Sequence, residues 1–179
     1  CQSKKPSAFI RFVKACIPMD SIIDLTNLMN ADGFLDWQVP EGNWKIMRFG
    51  YTTMGRTNGS GIGQGLEADK FSREGARIAF EGWYQRILDH IGPRLSNEVV
   101  KMLNVDSWEC GSQNWSPVFR DEFKARRGYD VPKYLPIMAG IPVESADVTE
   151  GFLFDVRRTI ADLISDNFFE ELKRLAHAR

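Results

Sequence analysis

The chain has 179 residues, and its 23 Lys and Arg against 24 Asp and Glu leave a net charge of −1. It therefore lacks the basic excess of a phosphate-binding domain, and no nucleic-acid partner is expected. An apolar fraction of 43% and a charged fraction of 26% exclude a disordered, collagen-like or coiled-coil chain and fit one domain with a real core.

No apolar run approaches the roughly 20 residues that span a bilayer, and no basic-then-apolar leader opens the chain. Cys1, Cys16 and Cys110 are odd in number and lack C-x-x-C spacing, which points to neither a zinc site nor a disulfide framework. A first residue Cys1 fits either the lipid-bearing cysteine of a mature bacterial lipoprotein or a piece cut from a longer protein. A strand pattern over residues 8–14 leaves no room for a signal, so a piece is the favoured expectation.

Residues 1–55 read as β-rich. Short apolar strands are expected at Ala8 to Val13 and Ile22 to Leu25, and Trp37-Gln38-Val39 alternates at period two. Tight turns are expected at Asn30-Ala31-Asp32-Gly33 and Pro40-Glu41-Gly42-Asn43, the second leading into a hairpin strand from Trp44 to Tyr51. Five glycines between Gly55 and Gly65 make the next stretch a long loop. It lacks the Lys-Ser/Thr of a P-loop and the spacing of a dinucleotide fingerprint.

From residue 70 the period becomes helical. Ala76, Phe80, Trp83, Tyr84, Ile87, Leu88 and Ile91 form one apolar stripe, stopped at Gly92-Pro93. Val99 to Val105 has the apolar, β-branched character of a buried parallel strand ending at Asp106. Ser116-Pro117 reads as a helix start and Gly128 as its stop. Residues 131–139 add a turn or two, and Phe152, Val156, Ile160, Leu163, Ile164, Phe168, Leu172 and Leu175 mark a long final helix. The expected class is α/β: a β-rich region over 1–55, then part of a (β/α)8 barrel over 56–179, because a closed barrel needs about 250 residues.

The densest polar stretch, Asp106-Ser107-Trp108-Glu109-Cys110-Gly111-Ser112-Gln113-Asn114-Trp115, follows the expected strand, where α/β folds bind ligands. Indole faces stack on sugar C–H surfaces and amides bridge hydroxyls. A carboxyl shielded by indole stays protonated more easily, as a general acid requires. The plainer reading is a loop capped by Asp106, with both tryptophans as core anchors. Glu67 and Asp69 form a second pair, for which the plainer reading is that Asp69 or Ser72 caps the following helix. His90 and His177 sit on expected helices far from these carboxylates and support neither a metal triad nor a Ser-His-Asp arrangement. Cys110 has no basic neighbour to make it a thiolate.

Several separated motifs in one order carry a resemblance over about residues 20–179: Asp24-Leu25-Thr26, the run from Gly33 to Gly50, Gly65-Leu66-Glu67-Ala68-Asp69-Lys70, Asp106-Ser107-Trp108-Glu109 with Gln113-Asn114-Trp115, and Phe119-Arg120 through Arg127-Gly128-Tyr129-Asp130. The chain resembles the family 106 glycoside hydrolases, the α-L-rhamnosidases of plant-polysaccharide-degrading bacteria. The resemblance implies a (β/α)8 catalytic barrel with attached β-sandwich regions, inverting removal of terminal α-L-rhamnosyl residues, and a calcium ion near the bound sugar with no ligands assignable. It also implies a periplasmic, secreted or outer-surface setting.

By the same resemblance Glu109 is the general acid, and Asp69, Gln113, Asn114 and Trp115 are sugar contacts, with Asp106 a further candidate beside them. Inversion needs acid and base carboxyls about 6.5 to 9.5 Å apart. The base is expected from a later barrel strand outside this chain, so the segment alone is expected to be inactive. Open strand edges of a partial barrel are expected to favour self-association. The competing class is a non-catalytic carbohydrate-binding or structural module, in which Trp108 and Trp115 stack on a sugar and no carboxylate transfers a proton.

Overall fold

The computed structural model describes residues 16–57, 65–106 and 110–178. The strand expected at Ala8 to Val13, most of the glycine loop, and Ser107, Trp108 and Glu109 lie outside the described residues. The helices in chain order are α1 (Arg73–Phe80), α2 (Arg86–Val99), α3 (Phe119–Arg127), α4 (Leu135–Met138), α5 (Ala146–Leu163) and α6 (Glu170–His177). Single π-helical turns, Glu81–Gln85 and Ile164–Phe169, join α1 to α2 and α5 to α6. The chain divides into two units: residues 1–50 with 123–157, and residues 51–122 with 158–179.

In the first unit the expected turn forms: Gly33 N donates to Asn30 O at 3.0 Å, with Gly33 at φ +84°. It closes a small hairpin in which Asn30 N donates to Phe34 O (2.8 Å) and Asp36 N to Leu28 O (3.0 Å). Trp44 folds back, its Nε1 donating to Pro40 O at 2.9 Å, and meets Trp37 edge-on at 5.4 Å. The core of this unit is aromatic. Phe123 packs on Phe152 (5.8 Å) and Tyr129 (5.1 Å), and Tyr134 stacks on Phe152 (5.2 Å), with Val131 and Val143 buried beside them.

In the second unit Ser72 caps α1, its hydroxyl accepting from Gly75 N at 3.4 Å. Ala76 and Phe80 of α1 pack against Phe168 and Leu172 near the chain end, with Tyr84 and Leu103 alongside. The expected stop at Gly92-Pro93 is a sharp break, Gly92 lying at φ 79° and ψ 161°, after which helix resumes to Val99. Before α3, Ser116 Oγ accepts from Val118 N at 3.1 Å. The stop comes at Gly128, which lies at φ +81° and whose N donates to Lys124 O at 3.0 Å.

The α/β expectation is overturned. Among the described residues β pairing is limited to isolated bridges, Ile17 with Val143, Met29 with Leu35 and Thr57 with Leu66, and neither a β-rich N-terminal region nor part of a parallel (β/α) barrel is formed. The reason is physical. Period-two or β-branched sequence favours extended backbone, but a strand also needs a neighbour for its N–H and C=O groups. Among the described residues, 44–51 and 100–106 find no strand to pair with. Most of their apolar side chains, among them Ile46, Tyr51 and Met102, are exposed rather than sandwiched. Val99 itself ends α2, so the expected strand from Val99 to Val105 is helix end followed by chain that joins no strand.

Candidate functional site

Asp69 lies at the end of an irregular segment just before α1. Its Oδ1 accepts from Phe71 N at 3.0 Å, the side-chain-to-backbone turn that aspartate forms readily, and its backbone oxygen accepts from Ser72 N at 3.3 Å. Ser72 therefore caps the helix, which frees the Asp69 carboxylate for another partner. That partner is Gln113, whose Nε2 donates to Asp69 Oδ1 at 2.5 Å. Gln113 Oε1 accepts from Lys70 N at 3.1 Å, and its Nε2 also donates to Trp115 O at 3.2 Å. One amide thus ties the Asp69–Lys70 turn to the segment that follows Cys110.

Close packing fixes the turn from below. A Cβ on Gly75 would stand 2.1 Å from Asp69 O, so only glycine permits this approach of α1 to the turn. Trp115 is half-buried and leans on Phe119 at 4.9 Å, and Phe119 in turn meets Phe71 at 5.9 Å. Trp115 is thus an anchor on one side while part of its surface stays accessible. Cys110 is buried, and Gly111 lies at φ +81° with Met54 filling the space where a Cβ would go.

Glu67 pairs with Lys70, whose side chain is 11% exposed and whose Nζ lies 5.7 Å from the Phe168 ring centroid. Glu67 is thereby neutralised in place. Its neighbour Asp69 instead turns toward an amide, so the two carboxylates do different things.

Of the residues singled out in the sequence, Asp69, Gln113 and Trp115 come together. Asp106 and Asn114 are exposed, and among the described residues no hydrogen bond joins either to that group. Glu109 and Trp108 lie outside the described residues. His90 and His177 are exposed on their helices. Sequence reasoning missed Lys70, Gly75 and Asn167. Asn167 is buried, and its Nδ2 donates to Phe71 O at 2.7 Å. An amide in the apolar stripe of the last helix was its available signal.

Among the described residues no three of His, Cys, Asp and Glu gather in a set able to hold a metal ion. No calcium ligand is assigned among them. No helix among them is long and apolar enough to cross a membrane.

A family model described as alpha-L-rhamnosidase, glycoside hydrolase family 106, matches residues 5–179. The chain belongs to this family. Within family 106 it is similar to the rhamnosidase from Novosphingobium sp. PP1Y, whose solved structure superposes with a TM-score of 0.75 at 32% identity over 90% of this chain and 16% of that one. It is also 42% identical, over 92% of its length, to a Formosa agariphila protein named "Putative beta-glucuronidase", of which it covers 14%. This family 106 chain thus spans about a sixth or less of the length of the relatives it matches.

Proposed function

We propose that these residues form part of the sugar-recognition region of an α-L-rhamnosidase that removes terminal α-L-rhamnosyl residues with inversion, in extracellular carbohydrate degradation. The observation that carries this reading is the Gln113–Asp69 hydrogen bond. It brings a carboxylate and a primary amide together beside the backbone of Trp115, a donor and acceptor set of the kind that grips sugar hydroxyls, with the half-buried Trp115 indole available to cover ring C–H groups. Glu109 stands four residues before Gln113 in the sequence, next to Trp108.

In the proposed reaction Glu109 gives its proton to the glycosidic oxygen as the C–O bond breaks. A water attacks the anomeric carbon from the opposite face, and its proton passes to a carboxylate from outside these 179 residues. Asp69 and Gln113 hold the sugar while this happens, and Trp115 covers one side. Removing a positioned general acid costs about 10²- to 10⁴-fold in rate. In a longer protein that includes this chain, Glu109→Gln is expected to lower kcat on an aryl α-L-rhamnoside by that much, and NMR of the first-formed product is expected to show the inverted anomer. Full activity of Glu109→Gln would overturn the role. A second substrate class, a glucuronoside, is favoured by the name of the Formosa agariphila relative. Assays on an aryl β-D-glucuronide beside the rhamnoside separate the two.

A further inference from the structure

The π-helical turn Ile164–Phe169 interrupts the last helix where it meets the Asp69 loop. Two consecutive residues of this turn touch two consecutive residues of the loop. Asn167 Nδ2 donates to Phe71 O at 2.7 Å, and the Phe168 ring lies under Lys70 Nζ at 5.7 Å. On their other side the same loop residues serve the candidate site: Phe71 N donates to Asp69 Oδ1 and Lys70 N to Gln113 Oε1. The Phe71 peptide groups therefore link a buried amide in the helix to the carboxylate of the site.

Asn167 is 5% exposed, a place where an unpaired amide is costly, and its amide is the donor that Phe71, itself fully buried, receives at its carbonyl. Its register also depends on the π turn. Each helical residue advances about 100°, so taking out the inserted residue would swing the amide away from Phe71. Turns of this kind occur frequently at functional sites.

We infer that Asn167 is a positioning residue for the sugar site, holding the Asp69–Gln113 pair in register through the Phe71 carbonyl. This rests on the reading that Asp69 and Gln113 contact sugar. The test uses the 15N-labelled 179-residue chain, with L-rhamnose as probe and three variants. Asn167→Leu keeps the branching and heavy-atom count without polar atoms, Asn167→Asp keeps the shape but replaces the donor with an acceptor, and Asp69→Asn removes the carboxylate charge.

Expected for both Asn167 variants are a displaced Gln113 side-chain amide resonance, faster exchange of the Phe71 amide and at least a fivefold rise in the rhamnose Kd. For Asn167→Leu some fall in Tm comes with it, because the buried Phe71 carbonyl loses its donor, so the rise in Kd and not the Tm carries the test. A purely structural role would lower Tm and leave the Kd alone. If Asn167→Leu does not fold, Asn167→Asp decides by the same readouts. An unmoved Gln113 resonance with unchanged Phe71 exchange overturns the positioning role. If instead rhamnose does not bind the parent chain, or binds Asp69→Asn equally well, the sugar reading falls, and the Gln113 and Phe71 signals still decide whether Asn167 sets the pair.

Discussion

Gln113 Nε2 donates to Asp69 Oδ1 at 2.5 Å across 44 residues of sequence, and the same amide accepts from Lys70 N and reaches Trp115 O. Gln113→Ala therefore removes several partners at once from half-buried groups. Hydrogen bonds to charged groups are worth about 1.5–3 kcal/mol. We expect a loss of about 2 kcal/mol in urea unfolding, accompanied by faster amide exchange at Lys70. A loss below about 0.5 kcal/mol would show that water replaces Gln113 without cost.

Gly75→Ala sets two effects against each other. Alanine is the better helix former by about 1 kcal/mol. Its Cβ, however, would stand 2.1 Å from Asp69 O, a backbone atom that cannot rotate away. Overpacking of this kind costs about 1–3 kcal/mol. The clash wins, and we expect a net destabilisation by thermal unfolding together with displaced resonances for Asp69 and Gln113. A more stable Gly75→Ala variant would mean that the loop yields freely and is not held by α1.

How much of this was legible depends on the range of the interaction. Ser116 and Gly128 mark the limits of a helix because caps and stops act over a few residues, and both behave as read. Phe152, Val156 and Leu163 form a buried face because period alone identifies it. Residues 44–51 and 100–106 misled because an alternating or β-branched pattern says nothing of the partner a strand needs. Asp69 and Gln113 were each picked out by chemistry, yet their bond is tertiary, and no spacing rule joins residues so far apart. Asn167 escaped notice because a regular helix does not announce the π turn that carries its amide inward.

The facing of α5 is tested by two phenylalanines two residues apart. Phe152 is 1% exposed and packs on Phe123 and Tyr134, whereas Phe154 is 64% exposed. Emptying a fully packed aromatic site costs about 3–5 kcal/mol, while exposed substitutions stay within about 0.5 kcal/mol. Phe152→Ala is therefore expected to unfold at far lower urea concentration than the parent, and Phe154→Ala near it. Equal effects would mean that α5 is rotated relative to this description.

Glu171 supplies the pH dependence. Hydrogen bonds from Arg174, at 2.6 and 3.0 Å, and a weaker one from Arg73, at 3.3 Å, hold its carboxyl below the ordinary value of 4.5, against the opposing effect of burial. A group with a lowered pKa in the folded state binds its proton more readily when unfolded. Its stabilisation is thus complete above 4.5 and is lost as pH falls through the folded value. Both arginines are more than half exposed, at 54% and 59%, so solvent screening keeps the contribution of the pairs small. Urea midpoints measured from pH 7 to pH 3 should show Glu171→Gln less stable than the parent at neutral pH, with the gap closing below 4.5. A gap that stays constant with pH would mean that the carboxylate charge contributes nothing and that only its packing matters.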